Sequence, residues 1–315
     1  MAGSDARERT ALIVTVLNEA STIDALLGSI AEQRLAPDEV IIADGGSSDG
    51  TLEVLRAWSE RIPLRVLEAP DANIARGRNI AIGATTAEVI AVTDAGVRLQ
   101  ADWLQRFRER LTPDVDVVGG FFRADARSVF EQALGATTLP DVTDVKPGQF
   151  LPSSRSVLFR RGAWERVGGY PEWLDYCEDL VFDLALRRAG CRFSFAPEAI
   201  AWFRPRSRLR AFFRQYFLYA RGDGKADLWR LRHAIRYATY ALALAILLRF
   251  RSVTWLLGLG VAAYTRRPYQ RLNLRGLTQG EVAMAVGLVP VIRLTGDVAK
   301  MLGYPVGVLW RLRRK

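Results

Sequence analysis

Glu39-Val-Ile-Ile-Ala-Asp44-Gly-Gly-Ser-Ser-Asp49-Gly50-Thr51 is the stretch that decides the fold. A short apolar run stops on a carboxylate and passes into a loop of glycine, serine and aspartate. Thr51–Trp58 then reads as a helix. The chain before it has the same plan. Thr10–Leu17 is a β-branched apolar run that stops at Asn18-Glu19, and Ser21–Gln33 carries Ile23, Leu26, Leu27 and Ile30 at helical spacing. Ser21 or Thr22 is placed to cap that helix, with Asp24 in its first turn. The chain after it repeats the plan again. Leu64–Leu67 reads as a strand, Asn73–Gly83 as a helix, and Val89–Thr93 as a buried strand ending in Asp94-Ala95-Gly96. Strands alternating with helices predict an α/β fold, a mostly parallel sheet with helices on both faces. Ligands of such sheets bind beyond the carboxyl ends of the strands. Asn18, Asp44 and Asp94 all sit at such ends, so the pattern gathers them on one edge.

Further on, the segment from Val115 to Leu158 reads as strand- and loop-rich. Gly168-Gly169-Tyr170-Pro171 is a turn. Asp175–Arg188 reads as a helix with Leu180, Leu184 and Leu186 toward its buried side, and Phe193–Phe203 as a last strand or two. The character changes at Arg204. The expected division is therefore an α/β domain over 1–204 and a basic, helical region over 205–315. The opening Met1–Thr10 is polar and has no apolar stretch of the secretory kind, so the front domain is expected in the cytosol.

Composition narrows the chemistry. Two cysteines, Cys177 and Cys191, are too few for a disulfide framework and are read as thiols in a reducing compartment. His233 is the only histidine, which excludes a Ser-His-Asp triad in the front domain and argues against a histidine-rich zinc site. Any general base there is a carboxylate, a lysine or a tyrosine. Residues 1–199 hold 22 Lys and Arg against 30 Asp and Glu, whereas 200–315 hold 22 against 4. The rear arginines punctuate apolar runs such as Tyr237–Leu248 and Ser252–Tyr264, which points to anionic lipid as their partner and away from nucleic acid.

Five motifs in order carry a resemblance: Val14-Thr-Val-Leu-Asn18-Glu19, Ala43-Asp44-Gly-Gly-Ser-Ser-Asp49-Gly50-Thr51, Arg78-Asn79, Thr93-Asp94-Ala95-Gly96 and Glu178-Asp179. Together they resemble glycosyltransferase family 2 over about residues 10–204. The resemblance implies the GT-A type of Rossmann-like sheet, a nucleotide-sugar donor, a glycan or lipid-linked acceptor, and inversion at the anomeric carbon. In chemical terms, Asn18, Glu19 and Asp44 offer acceptors to uracil N–H and ribose hydroxyls, and the resemblance makes Asp44 the base-and-ribose carboxylate. The plainer reading of Asp44 is a turn-forming residue before Gly45. Asp49-Gly50 reads as a turn and helix cap. No Gly-Lys-Ser/Thr follows Gly45-Gly46, so this is not a P-loop. Arg78-Asn79 opposes the charge of two phosphates with a forked donor, with Arg76 as a weaker candidate.

By resemblance, Asp94 stands at the first position of the family's metal motif, but Gly96 replaces the second carboxylate. A divalent cation, Mg²⁺ or Mn²⁺, is expected there, held by Asp94 with water and phosphate oxygens completing its shell. Glu178-Asp179 matches the family's catalytic acidic pair, Asp179 as general base and Glu178 in support. Read on their own, the two acids also suit a helix N-terminus.

No Gln-X-X-Arg-Trp follows Gln215, which disfavours a processive synthase, and Arg214–Gly222 resembles the amphipathic segment of nonprocessive, polysaccharide-building members. Arg221 there is read either as a contact for the leaving diphosphate or as an interfacial anchor. Ala234–Leu248, Ser252–Tyr264, Glu281–Ile292 broken by Pro290, and Tyr304–Trp310 are short apolar runs flanked by arginine. They fit a monotopic attachment or shallow hairpin at the cytoplasmic face of the cell membrane better than full spans. Two other readings compete: a nucleotidyltransferase of related fold, and a membrane-bound scaffold with a degenerate donor site.

Overall fold

The computed structural model describes residues 7–314, so most of the polar opening read from the sequence, and Lys315, lie outside the described residues. The chain forms two compact units, one comprising Met1–Arg123 and Val142–Phe203, the other Ala124–Asp141 and Arg204–Lys315.

The first unit is built on one eight-stranded sheet. The β-branched runs become β1 (Thr10–Val16), β2 (Glu39–Asp44), β3 (Leu64–Glu68) and β4 (Val89–Asp94). β1 pairs in parallel with β2 on one side and β4 on the other, and β3 pairs in parallel with β2. Beyond β4 the sheet is mixed. β5 (Val97–Leu99), β6 (Val117–Ala124), β7 (Val157–Arg160) and β8 (Phe193–Phe203) complete the order β3-β2-β1-β4-β7-β6-β8-β5, with β4–β7, β6–β7 and β5–β8 antiparallel. Alternate side chains of β1 serve opposite faces. Leu12, Val14 and Val16 join one buried core with Ile23, Leu26, Leu27 and Ile30 of α1 (Ile23–Ala31), while Ala11 and Ile13 join a second. The first core also takes Leu55 of α2 (Thr51–Trp58). The second takes α3 (Ile74–Gly83) through Ala75, Ala81 and Ile82. Trp103, Leu104 and Phe107 of α4 (Trp103–Arg110) fill the first core.

Three local readings change. Thr22 precedes α1 but makes no side-chain cap bond; its hydroxyl turns to Glu19 instead. The segment read as strand and loop contains α5 (Val129–Thr138), started by Ser128, whose Oγ accepts from Glu131 N. After α6 (Arg161–Arg166), the helix read from Asp175 begins at Glu178 as α7 (Glu178–Arg188). Its buried side is Glu178, Phe182, Asp183 and Leu186, and Leu180 and Leu184 are only half-buried.

In the second unit, α5 packs with α8 (Leu209–Lys225), α10 (Trp255–Arg271) and α11 (Gln279–Leu312), sharing a core of Val129, Leu134, Phe212, Leu272, Val289 and Ile292. α9 (Arg230–Arg249) completes the helices. α8 and α11 run side by side at backbone contact, since a Cβ on Gly303 would fall 2.1 Å from Phe217 O and one on Gly307 2.1 Å from Arg221 O. The runs Glu281–Ile292 and Tyr304–Trp310, read as separate short helices, lie in one 34-residue helix, α11, which carries both Pro290 and Pro305. Close packing on α8 offsets the hydrogen bonds those prolines remove. Among the described residues, α11 is the one helix long and apolar enough to cross a membrane.

Candidate active site

The register of the sheet brings the strand-end residues together. Val16 of β1 pairs with Asp44 and Thr15 with Asp94, so both carboxylates flank the end of β1, just before Asn18. The loops after β1 and β2 are laced to each other. Asn18 N donates to Ser47 Oγ at 2.9 Å, Ser48 N to Asn18 Oδ1 at 2.9 Å, Glu19 N to Thr51 Oγ1 at 2.9 Å and Ala20 N to Asp49 Oδ2 at 3.1 Å. Asn18 takes the left-handed conformation, φ 56°, to make this turn. Asp44 is buried, and its Oδ2 accepts from Gly46 N at 3.0 Å and Ser47 N at 2.9 Å. Its side chain therefore shapes the loop. Asp49 does the same for the start of α2, with Oδ1 accepting from Thr51 N at 3.1 Å.

Arg78 is the centre of the arrangement. It lies on α3, is 1% exposed, and donates through Nη1 to Glu178 Oε1 at 2.8 Å and through Nη2 to Asp94 Oδ1 at 2.9 Å. Its guanidinium lies over the Tyr170 ring, 5.2 Å from the centroid. Burial works against its charge, but Glu178 and Asp94 outweigh burial and hold it firmly protonated. Sequence reading directed Arg78 at phosphates, whereas here its two terminal nitrogens are on carboxylates.

Its neighbour Asn79 fastens a loop. Asn79 Nδ2 donates to Tyr170 O at 2.9 Å and Glu172 Oε1 at 3.0 Å, while Oδ1 accepts from Tyr170 N at 2.9 Å and Trp164 Nε1 at 3.1 Å. Asn73, which caps α3 by accepting from Arg76 N, adds Nδ2 to Glu172 O at 2.6 Å. Gly169 makes this possible: its φ is 84°, and a Cβ there would sit 2.7 Å from Asn79 Oδ1. Arg76 contributes only its backbone N–H to these contacts.

That loop delivers the acidic pair. Cys177, at φ 66°, turns the chain into α7, and Glu178 and Asp179 are its first residues. Glu178 is buried. Burial, with Asp179 beside it, pushes its carboxyl up to about 7 although Arg78 pulls the other way. Asp179 is half-buried, with Oδ1 accepting from Leu180 N at 2.8 Å. One turn on, Asp183 is buried with Oδ2 lacking a hydrogen-bond partner among the described residues. Burial, reinforced by Asp179, raises its carboxyl well above the usual range, which favours the neutral acid. Both cysteines are free.

Asp94 has a second cation beside it. Arg155 Nε lies 3.4 Å from Asp94 Oδ2, and its guanidinium stands over the rings of Phe203 at 4.8 Å and Phe122 at 5.6 Å. Among the described residues no three His, Cys, Asp or Glu side chains cluster to hold a metal. A Cβ at Gly96 would lie 4.0 Å from Glu19 Oε2, so Glu19 is the acid nearest the missing carboxylate. These residues fit a cation whose shell is completed by phosphate and water, and no more than that. Arg221 belongs to α8 in the helical unit, its carbonyl against Gly307. Sequence reading missed Arg155, Tyr170 and Asp183. Only Asp183, four residues after Asp179 on the same helix face, left a signal.

Comparisons with known proteins bear on the family and the fold. The model of the family described as Glycosyl transferase family 2 matches residues 11–163. The succinoglycan biosynthesis protein ExoA of Rhizobium meliloti is 32% identical over 234 residues, 68% of this chain and 68% of its own. The glycosyltransferase AglE of Haloferax volcanii is 25% identical over 248 residues, 76% of this chain and 80% of its own. Among solved structures, the mannosyltransferase PcManGT of Pyrobaculum calidifontis, in complex with GDP-Man and Mn²⁺, superposes with a TM-score of 0.59 at 21% identity, covering 98% of this chain and 88% of that one. S. aureus TarS in complex with UDP-GlcNAc superposes with a TM-score of 0.53 at 18% identity, covering 97% and 92%. These structures share the fold, an open mixed sheet of the GT-A type; the ExoA match, with the family model, establishes that the chain belongs to glycosyl transferase family 2 and is a glycosyltransferase.

Proposed function

We propose that this glycosyltransferase takes a nucleotide-linked sugar, uridine-linked by its motifs, and transfers it with inversion to a glycan or lipid-linked acceptor at the cytoplasmic face of the membrane. The observation that carries the reading is the single buried guanidinium of Arg78, which joins Asp94 on the strand edge to Glu178 of the acidic pair. One side of that joint faces the donor loops and the other faces the acceptor chemistry. The nucleoside lies against Asn18, Glu19 and the loop that Asp44 orders. Asp94, with phosphate oxygens and water, holds a divalent cation at the diphosphate. Asp179, the more open member of the pair, takes the proton of the acceptor hydroxyl as it attacks the anomeric carbon. Glu178 and Asn79 support it, one through Arg78 and the other through the turn before α7.

Two structural relatives support a nucleotide-sugar donor, because one holds GDP-Man with Mn²⁺ and the other UDP-GlcNAc. Membrane attachment is supported by the apolar residues that the helical unit exposes, among them Leu242, Leu248 and Phe250 of and after α9, Leu259 of α10 and Leu302 of α11. The test is a thermal-shift screen against nucleotide-sugars, followed by turnover of the stabilising donor and assignment of the product's anomeric configuration. Retention of configuration, or no donor stabilisation by any nucleotide-sugar, refutes the reading.

A further inference from the structure

Residues 200–315, most of the helical unit, have a charge imbalance that their own acids do not relieve. They carry 22 basic and 4 acidic side chains. The four acids are all engaged. Asp223 meets His233 at 3.1 Å, Asp227 is bound by Arg230 and Arg311, and Glu281 accepts from Thr278 N at 2.9 Å as a helix cap. Asp297, buried on α11, accepts from Arg236 Nε at 2.9 Å, Tyr240 Oη at 3.0 Å and Tyr264 Oη at 2.6 Å.

Between α10 and α11 lies a cleft of about 530 Å³ lined by Ala263, Tyr264, Arg266, Arg267, Gln270 and Arg293. Three arginines therefore line one cleft. Among the described residues none of the three has a carboxylate within ion-pair distance. Arg293 is held by its aromatic neighbour, its guanidinium 4.6 Å from the Tyr264 centroid, and its buried Nε has no hydrogen-bond partner among the described residues. Three cations lining one cleft with no carboxylate partner attract an anion. Arginine forks with a glutamine amide beside them match the oxygens of a phosphate group. The same two helices expose apolar residues, Leu259, Val261 and Tyr269 on α10 and Val291 and Leu294 on α11.

The geometry points to this cleft as a binding site for a phosphate group, with Arg266, Arg267 and Arg293 as its ligands. The apolar residues that α10 and α11 expose favour the headgroup of an anionic phospholipid as the source; a free phosphate or diphosphate is the other source of the same chemistry. The inference takes from the proposed function only the lipid-facing placement of the helical unit, and is independent of the transfer chemistry in the sheet.

The test uses the full chain purified in a neutral detergent. Co-flotation compares vesicles of phosphatidylcholine with vesicles containing phosphatidylglycerol, and thermal shift with inorganic phosphate tests the free anion. The paired variant Arg266→Gln with Arg293→Gln should weaken binding to phosphatidylglycerol vesicles by about tenfold or more. The control pair Arg206→Gln with Arg208→Gln, exposed residues outside the cleft, should weaken it far less. Should inorganic phosphate alone stabilise the wild type and not the cleft variant, the site stands and its ligand is the free anion. Equal losses from the two pairs would make the effect diffuse charge and overturn the site. A measurement on the wild type guards against misfolded variants: either phosphate source should protect Arg266, Arg267 and Arg293 from phenylglyoxal while Arg206 and Arg208 react. Absence of that protection overturns the site. Loss of donor turnover bears on the transfer reading and leaves this one untouched.

Discussion

Arg78 on α3 donates to Glu178 on α7 at 2.8 Å and in the same fork to Asp94 at the end of β4 at 2.9 Å. One buried cation thus compensates two carboxylates that would otherwise repel each other inside the sheet unit. Removing it leaves Glu178 uncompensated in a desolvated site and Asp94 with Arg155 as its remaining cation. Arg78→Met should therefore cost about 3–5 kcal/mol of stability, read by urea denaturation. Arg78→Lys should recover only part of the loss, because one ammonium does not reproduce the two-pronged fork. A Met variant within 1 kcal/mol or so of wild type would show that the bridge is dispensable.

Asp179→Asn should lower turnover by about a hundred- to ten-thousandfold, the usual worth of general-base assistance, with donor affinity retained. Calorimetry with the donor separates the two effects. Near-full turnover in this variant together with a dead Glu178→Gln variant would reverse the roles within the pair.

Glu178 makes the pair sensitive to pH. Burial and Asp179 raise its carboxyl from 4.5 to about 7. A carboxyl raised on folding binds its proton more tightly in the native state, so its contribution to stability is greatest below 4.5 and is lost as pH rises toward 7. Asp179→Asn removes one of the two causes. The variant should lose less stability than wild type across that window, and the Glu178 resonance should titrate lower by carboxyl NMR.

Asn79 acts through the loop at residues 168–177. Asn79→Ala removes the partners of Tyr170 N, Tyr170 O and Trp164 Nε1 at once. A loss of about 1–3 kcal/mol is expected from the backbone groups left unpaired. If the loop places the acidic pair, kcat should fall while donor affinity holds. Unchanged kcat in a destabilised variant would confine Asn79 to structure.

The cation is expected to bind weakly, since Gly96 supplies no oxygen and Asp94 is already faced by Arg78 and Arg155. Activity should rise with added Mn²⁺ or Mg²⁺ and saturate late compared with a two-carboxylate site. Full turnover in excess chelator would show that arginine alone neutralises the diphosphate.

High salt should loosen the protein from anionic bilayers without releasing it, and detergent should release it, because screening acts on the arginines and not on the exposed leucines. Complete extraction by salt would mean that those leucines are covered by protein.

By itself, the sequence determined the first half of the sheet. β1 to β4 and the helices between them follow from local periodicity, and the loops begin where β-branched runs meet Asn18, Asp44 and Asp94. Those signals are short-range, so a single chain reveals them. It also placed the acidic pair near the start of a helix, read from Asp175 and found from Glu178. Tertiary structure decided what the polar residues do. Arg78 and Glu178 are 100 positions apart, and Asn79 and Tyr170 are 91 apart, so a motif that reads as a phosphate ligand is resolved only when α3 and α7 meet across the second core. The antiparallel half of the sheet, β5 to β8, depends in the same way on distant pairing. α11 was legible only as fragments, because Pro290 is a local breaker and Arg293, Asp297 and Lys300 interrupt its apolar runs. Its continuity comes from α8, whose backbone Gly303 and Gly307 allow into direct contact. Packing between helices outweighs the missing hydrogen bonds, and no stretch of α11 carries that information alone.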